Sequence, residues 1–137
     1  MKSKFYWFSF VLLVGIDQVS KWWLGQNGDG VVVINSSLAG GLGEVQAGVL
    51  LGVWVGLLGL YIKKKVTSPF MVLILAGGLS NIIDRFVWGG VQDWLPLPMT
   101  DLTNNLADWM IGIGILGLVV EMWGKKVHFR KFKPINQ

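Results

Sequence analysis

Four long apolar blocks constrain this chain more than any other feature. Phe5 to Leu24 is interrupted chiefly by Asp17, Gln18, Ser20 and Lys21, and Val45 to Ile62 carries no charge at all. Phe70 to Trp88 is uncharged until Asp84 and Arg85, and a last block from about Asn104 to Trp123 contains Asp108 and Glu121. Each approaches the ~20 residues that an α-helix needs to cross a bilayer's hydrocarbon core. Composition agrees: 53% of the 137 residues are hydrophobic before the 19 glycines are counted, whereas soluble domains reach ~45–50% with glycine included. Charged residues make up only 15%, so the chain is too apolar to remain disordered in water.

The expected architecture is an all-α membrane protein, a bundle of four transmembrane helices forming a single integral membrane domain over residues 1–137. The first block is not a cleaved secretory signal, because Asp17 and Lys21 stand where a small-residue cleavage site belongs and three further spans follow. Basic residues orient the bundle. Lys2 and Lys4 precede span one, Lys63, Lys64 and Lys65 join spans two and three, and Lys125, Lys126, Arg130, Lys131 and Lys133 follow span four. Loops retained in the cytoplasm collect Lys and Arg, so both termini are expected there. Asp29, Glu44, Asp93 and Asp101 gather on the opposite side. The net charge of +4 then reflects topology and anionic lipid, and nucleic acid is not an expected partner. Trp7, Trp22, Trp23, Trp88, Trp94, Trp109 and Trp123 fall near span ends, as an interfacial aromatic belt requires. Trp54, in mid-span, does not fit it.

Two segments face outward, 25–44 and 89–103. In the first, Asn27-Gly28-Asp29-Gly30 is a turn signal before the β-branched run Val31 to Ile34. In the second, Val91 to Leu95 reads as another short strand ended by Pro96 and Pro98. A small extracytoplasmic β segment is expected from the two.

Charged groups at membrane depth cost at least ~2.5–3.5 kcal/mol each, which marks them as functional by default. Asp17, Lys21, Asp84, Arg85 and Asp108 all lie near the outer ends of their spans. Asp17 and Lys21 are spaced i,i+4 on one face, Asn81, Asp84 and Arg85 share a stripe, and so do Asn104, Asn105 and Asp108. Blander accounts exist for each. Asp17 with Lys21, and Asp84 with Arg85, would be clamps between helices, Asn81 and Asn105 hydrogen-bonding supports, Asp93 a solvated loop charge and Asp108 a dipole-stabilised carboxylate. Cysteine is absent and His128 lies in the basic tail, which excludes thiol catalysis, a Ser-His-Asp triad and histidine zinc sites. Hydrolysis by such a chain would need water activated by carboxylates. Two acids in close approach split their titration, one serving as acid and the other as base.

Asp17-Gln18-Val19-Ser20-Lys21 resembles the D-Q-x-[ST]-K motif of type II signal peptidases, the lipoprotein signal peptidases of bacteria. Gly77 to Arg85, continuing through Gly90-Val91-Gln92-Asp93-Trp94, is similar to their G-G-x-x-N-x-x-D-R…G-x-V-x-D-[FW] block, and Asn105-Leu106-Ala107-Asp108 to their N-x-A-D. The chain departs from the pattern at Ser80, where glycine is usual, and across Asn35 to Gly40, where only Asn35 and Ala39 fit N-x-G-x-A-[FW]; its outer segment before Asn35 is also short. The resemblance implies a monomeric aspartyl endopeptidase of the bacterial cytoplasmic (inner) membrane, its active site near the extracytoplasmic face. Its partners would be membrane lipids and lipid-modified prolipoprotein signal peptides, and no metal or cofactor is implied. It assigns catalysis to Asp93 and Asp108, with Asp84 as the rival second acid. Asn81 and Asn105 would serve a developing oxyanion, Asn35 would support the site, and Asp17, Lys21, Asp84 and Arg85 would hold the spans in register. A catalytically inactive relative that binds lipidated precursors, or a small carboxylate-lined ion carrier, are the alternatives.

Overall fold

The computed structural model describes residues 2–27, 32–36, 46–63, 68–100 and 102–131. Four helices appear among them: α1 (Lys2–Asn27), α2 (Ala47–Ile62), α3 (Pro69–Trp88) and α4 (Leu106–Lys131). Short strands β1 (Val33–Asn35), β2 (Val91–Asp93), β3 (Leu95–Pro96) and β4 (Thr103–Asn104) lie between them. The helices follow the apolar blocks but overrun several expected ends. α1 extends beyond Phe5 and Leu24, and α4 continues past Trp123 into the basic stretch, since neither flank holds a proline to stop it.

α3 has the sharpest limits. The Ser68 hydroxyl accepts from the Phe70 N–H at 3.2 Å, Pro69 follows at the first helical position, and Gly89 closes the helix in the left-handed region at φ 74°. α3 is also the centre of the bundle, with α1, α2 and α4 all packed on it. The buried apolar side chains are mostly its own: Met71, Val72, Leu75, Ala76 and Ile82, joined by Val91, Ala107 and Met110. By contrast α2 buries no residue, and Phe8, Val53, Leu116 and Trp123 are each more than half exposed. Apolar surface on this scale is not stable against water and calls for a lipid solvent. Among the described residues two helical stretches, Pro69–Trp88 and Leu106–Gly124, are long and apolar enough to cross a membrane, each with mean hydropathy 1.6.

The expected β segment divides into two antiparallel pairs. β1 pairs with β2 in the register Val33↔Asp93, Ile34↔Gln92 and Asn35↔Val91. β3 pairs with β4 through Leu95↔Asn104 and Pro96↔Thr103. The strand expected over Val91 to Leu95 therefore breaks at Trp94, whose N–H turns to donate to Asn104 O at 3.0 Å, and the short β3 that follows ends at Pro96. Asn104, expected to open span four, belongs to β4. The helix waits for Asn105, whose Oδ1 accepts the Asp108 N–H at 3.0 Å as an N-cap. The turn residues 28–30, Val31, Val45, the acids Asp29, Glu44 and Asp101, residues 37–40, Lys64, Lys65 and Lys133 lie outside the described residues.

α3 and α4 approach closely at Gly77. A Cβ there would run into the Ala107 carbonyl oxygen and come within 3.0 Å of Ile111 Cγ1. Gly77→Ala should therefore push the start of α4 away, destabilising the fold by about 1–3 kcal/mol as overpacked cores do. Thermal unfolding of the detergent-solubilised variant checks this, and an unchanged midpoint would contradict the close approach.

Candidate active site

Among the described residues, most of the buried polar side chains gather into two groups. The first is buried between α1 and α3 around Lys21, whose ammonium reaches Asp17 Oδ2 at 2.6 Å and Asp84 Oδ2 at 2.7 Å and donates to Asn81 Oδ1 at 3.1 Å. Its three N–H groups match these three acceptors. Asp17, Lys21 and Asp84 are fully buried, so each charge depends on the others for compensation. Their surplus negative charge is met by further donors. Asp17 Oδ1 accepts the Ala107 N–H at 2.9 Å, an otherwise orphaned amide in the first turn of α4, and its Oδ2 accepts from the Ser80 hydroxyl at 2.6 Å. Asp84 accepts from Gln18 Nε2 at 2.8 Å and from the Gln92 N–H at 3.2 Å.

Arg85 does not clamp Asp84 in the way expected. Adjacent helical residues point about 100° apart, so Asp84 turns to α1 while Arg85 faces the second group, where its Nη1 donates to Asn81 O at 3.3 Å. That second group is Asp93, Asp108 and the amides that hold them. Asp93 ends β2 and is buried, while Asp108 projects from the first turn of α4. Asn105 joins the two acids: its Nδ2 donates to Asp93 Oδ1 at 2.6 Å while its Oδ1 accepts the Asp108 N–H. Asn35 donates to Asp93 Oδ2 at 3.2 Å, which its diagonal position across the β1–β2 pair allows. Asn81 donates to Asp108 Oδ1 at 2.8 Å, and its other end is the acceptor for Lys21. The amides that the resemblance assigns to an oxyanion thus have their Nδ2 groups directed at the carboxylates. Lys21 fixes which way the Asn81 amide points, and through it one hydrogen bond of Asp108.

Asp93, Asp108, Arg85, Asn81 and Asn35 open onto one cavity of about 670 Å³, whose remaining wall is largely apolar, with Leu50, Val53, Leu57, Ile111 and Ile115 prominent. Asp17, Lys21 and Asp84 do not line it. Burial raises the Asp93 carboxyl above the ordinary aspartate range; hydrogen bonds from Asn105 and Asn35 oppose the rise, and the nearby charge of Asp108 adds to it. An apolar pocket with two acids and a guanidinium at one end can seat a largely hydrophobic chain and hold a water against its polar part.

Several participants escaped the sequence reading. Gln18 bridges Ser80 and Asp84, and Ser80, a departure from the motif, both donates to Asp17 and accepts from Gln18. Their position inside recognised motifs was the available signal. Trp54 is the other: its indole N–H donates to Leu75 O at 2.8 Å.

The chain matches the family described as signal peptidase (SPase) II over residues 9–124. It is 28% identical over 145 residues to a lipoprotein signal peptidase of Streptococcus pyogenes serotype M6, with 90% of this chain and 95% of the relative covered. A lipoprotein signal peptidase of Cyanothece sp. is 32% identical over 148 residues, covering 90% and 86%. Two solved bacterial membrane enzymes share the fold. One superposes with a TM-score of 0.80 at 22% identity over 97% of this chain and 95% of its own, the other with 0.73 at 20% over 87% and 92%.

Proposed function

The chain belongs to the signal peptidase II family of aspartic-type peptidases, and from that premise we propose that it is an intramembrane endopeptidase acting on diacylglyceryl-modified prolipoproteins. It removes the signal peptide by cleavage just before the lipidated cysteine, using Asp93, Asp108 and a water. α1 and α2 complete a four-span bundle with α3 and α4, forming one integral membrane domain with both termini in the cytoplasm and the acids near the outer face.

The observation that carries this reading is that Asp93 and Asp108 open onto one apolar cavity and are tied to each other through Asn105. A peptide carbonyl seated between them would be attacked by the water. The ionised acid takes a proton from that water as the new C–O bond forms, while the protonated acid gives its proton to the carbonyl oxygen. Collapse of the resulting diol breaks the C–N bond: the acid that took the water's proton gives it to the departing amine nitrogen while the other carboxylate takes a proton from a diol hydroxyl, which restores the starting, singly protonated pair. Asn105 and Asn81 keep the acids oriented, and the Arg85 guanidinium supplies positive charge beside the developing negative charge. Asp84 is the poorer candidate for second acid, because Lys21, Gln18 and the Gln92 N–H occupy its carboxylate and it does not reach the cavity. The apolar wall suits both a signal-peptide helix and acyl chains.

Protein reconstituted in vesicles with a diacylglyceryl-modified precursor should release a shorter lipoprotein, visible as a gel shift, with the lipidated cysteine as its new N-terminus by mass spectrometry. Binding without cleavage would instead indicate an inactive relative, and ion flux from the vesicles a carrier.

A further inference from the structure

Trp54 is the tryptophan that a membrane-interface belt does not explain. It lies midway along α2, half-buried, and three helices fix its ring. Its N–H is bound to Leu75 O of α3, and the ring lies against Phe10 of α1 with centroids 6.5 Å apart. Its Cδ1 edge faces Gly78 so closely that a Cβ there would come within 3.1 Å. The same side chain borders the cavity that holds the acids.

Its level in that cavity can be read from α3. Gly78 is three residues from Asn81, which holds Asp108, and at 1.5 Å per residue that is about 4.5 Å towards the Pro69 end. The cavity continues beyond it to Ile74, roughly 10 Å from the Asn81 level. Trp54 therefore stands partway down the wall, about one helical turn below the acids, and is not its floor. A peptide whose reacting bond lies at the acids advances about 1.5 Å per residue as helix or 3.3 Å when extended. One of the three residues before that bond then meets the indole.

We propose that Trp54 is a specificity-determining residue, whose indole limits the size of the substrate side chain that fits one turn below the cleaved bond. This rests on the peptidase reading above. The indole cannot yield easily, because retreat would cost its hydrogen bond and run into Leu75 and Gly78 of α3. Gly78 matters for the same reason. It leaves the space in which the ring lies back against α3, and a methyl group there would press the ring towards the cavity.

The test uses lipid-modified precursor peptides carrying Ala, Leu, Phe or Trp at each of the three positions before the scissile bond, with kcat/KM measured for the reconstituted protein. At one position the wild type should disfavour Phe and Trp. Trp54→Ala should raise the Phe-to-Ala ratio there about tenfold or more, the scale on which pocket volume discriminates substrates. Trp54→Phe, which keeps a ring on Phe10 but loses the N–H, should preserve the wild-type ranking. Gly78→Ala should move the ratio the other way, below wild type, and this sign decides the matter if Trp54→Ala does not fold. Ratios unchanged from wild type in active Trp54→Ala or Gly78→Ala, or shifts of the same sign in these two variants, would overturn the proposal and leave Trp54 a packing residue. A wild type that cleaves none of the peptides would remove the peptidase reading and this inference together.

Discussion

Asp93→Asn and Asp108→Asn are each expected to slow cleavage of a lipid-modified precursor by about 10²- to 10⁴-fold, the range for loss of a positioned acid or base. Both variants should remain folded, but not equally well. An amide at position 108 can still accept from Asn81 through its oxygen. At position 93 the carboxylate accepts from both Asn105 and Asn35, so an amide must turn its own donor towards one of them and forfeit that hydrogen bond. Asp93→Asn should therefore unfold at a somewhat lower temperature than Asp108→Asn while being as inactive. Asp84→Asn separates the two roles. It leaves both cavity acids in place, so its folded fraction should still cleave, although less of the protein will fold. Gel-shift rates normalised to folded protein distinguish these outcomes.

Lys21→Met should produce the largest loss of stability. It leaves Asp17 and Asp84 facing each other in a fully buried site with their shared cation gone. Removing one partner of a buried ion pair typically costs about 3–5 kcal/mol, because the remaining charge has no compensation. Against a total stability of about 5–15 kcal/mol, that is enough to unfold much of the protein. The damage also has a direction. Asp17 caps Ala107 at the start of α4 and Lys21 orients Asn81, so movement here passes directly to Asp108. Combining Lys21→Met with Asp84→Asn removes one of the stranded charges and should recover part of the stability, while Asn81 stays unrestrained and activity stays low. Circular dichroism melts of the detergent-solubilised variants measure this. Equal midpoints for the single and double variants would show that the ion cluster is not the source of the loss.

The helices were legible because crossing a membrane demands long uninterrupted apolar runs, and the chain provides them at Phe70 to Trp88 and beyond Asn104. Their ends were less so. Asn104 and Asn105 look alike in sequence, yet only Asn105 meets the N–H of α4 with its side chain, and β4 takes the other. The polar residues could be assigned to stripes by helical spacing, but spacing says nothing about which neighbouring helix each stripe meets. Hence Lys21 could be paired with Asp17 on its own helix, whereas its second partner, Asp84 of α3, emerges only when α1 and α3 pack together. The same limit explains Arg85, Gln18 and Ser80, whose partners lie across the bundle or around the turn of α3. Trp54 was opaque for the opposite reason. Its environment is a helix carbonyl and a glycine on a neighbour, features without any mark in its own surroundings along the chain.

Isotope-edited infrared titration of the Asp93 carboxyl, in the wild type and in Asp108→Asn, bears most directly on whether these two acids form one site. The Asp93 signal is identified by its loss in Asp93→Asn. In the wild type it should titrate above the ordinary aspartate range, since burial and the charge of Asp108 both favour its protonated form. Removing the charge at position 108 removes one of those upward pushes while burial and the Asn105 and Asn35 hydrogen bonds remain. Asp93 should then give up its proton at lower pH. A titration that Asp108→Asn leaves where it was would mean that the two carboxyls do not sense each other, and a shared hydrolytic water would have no basis.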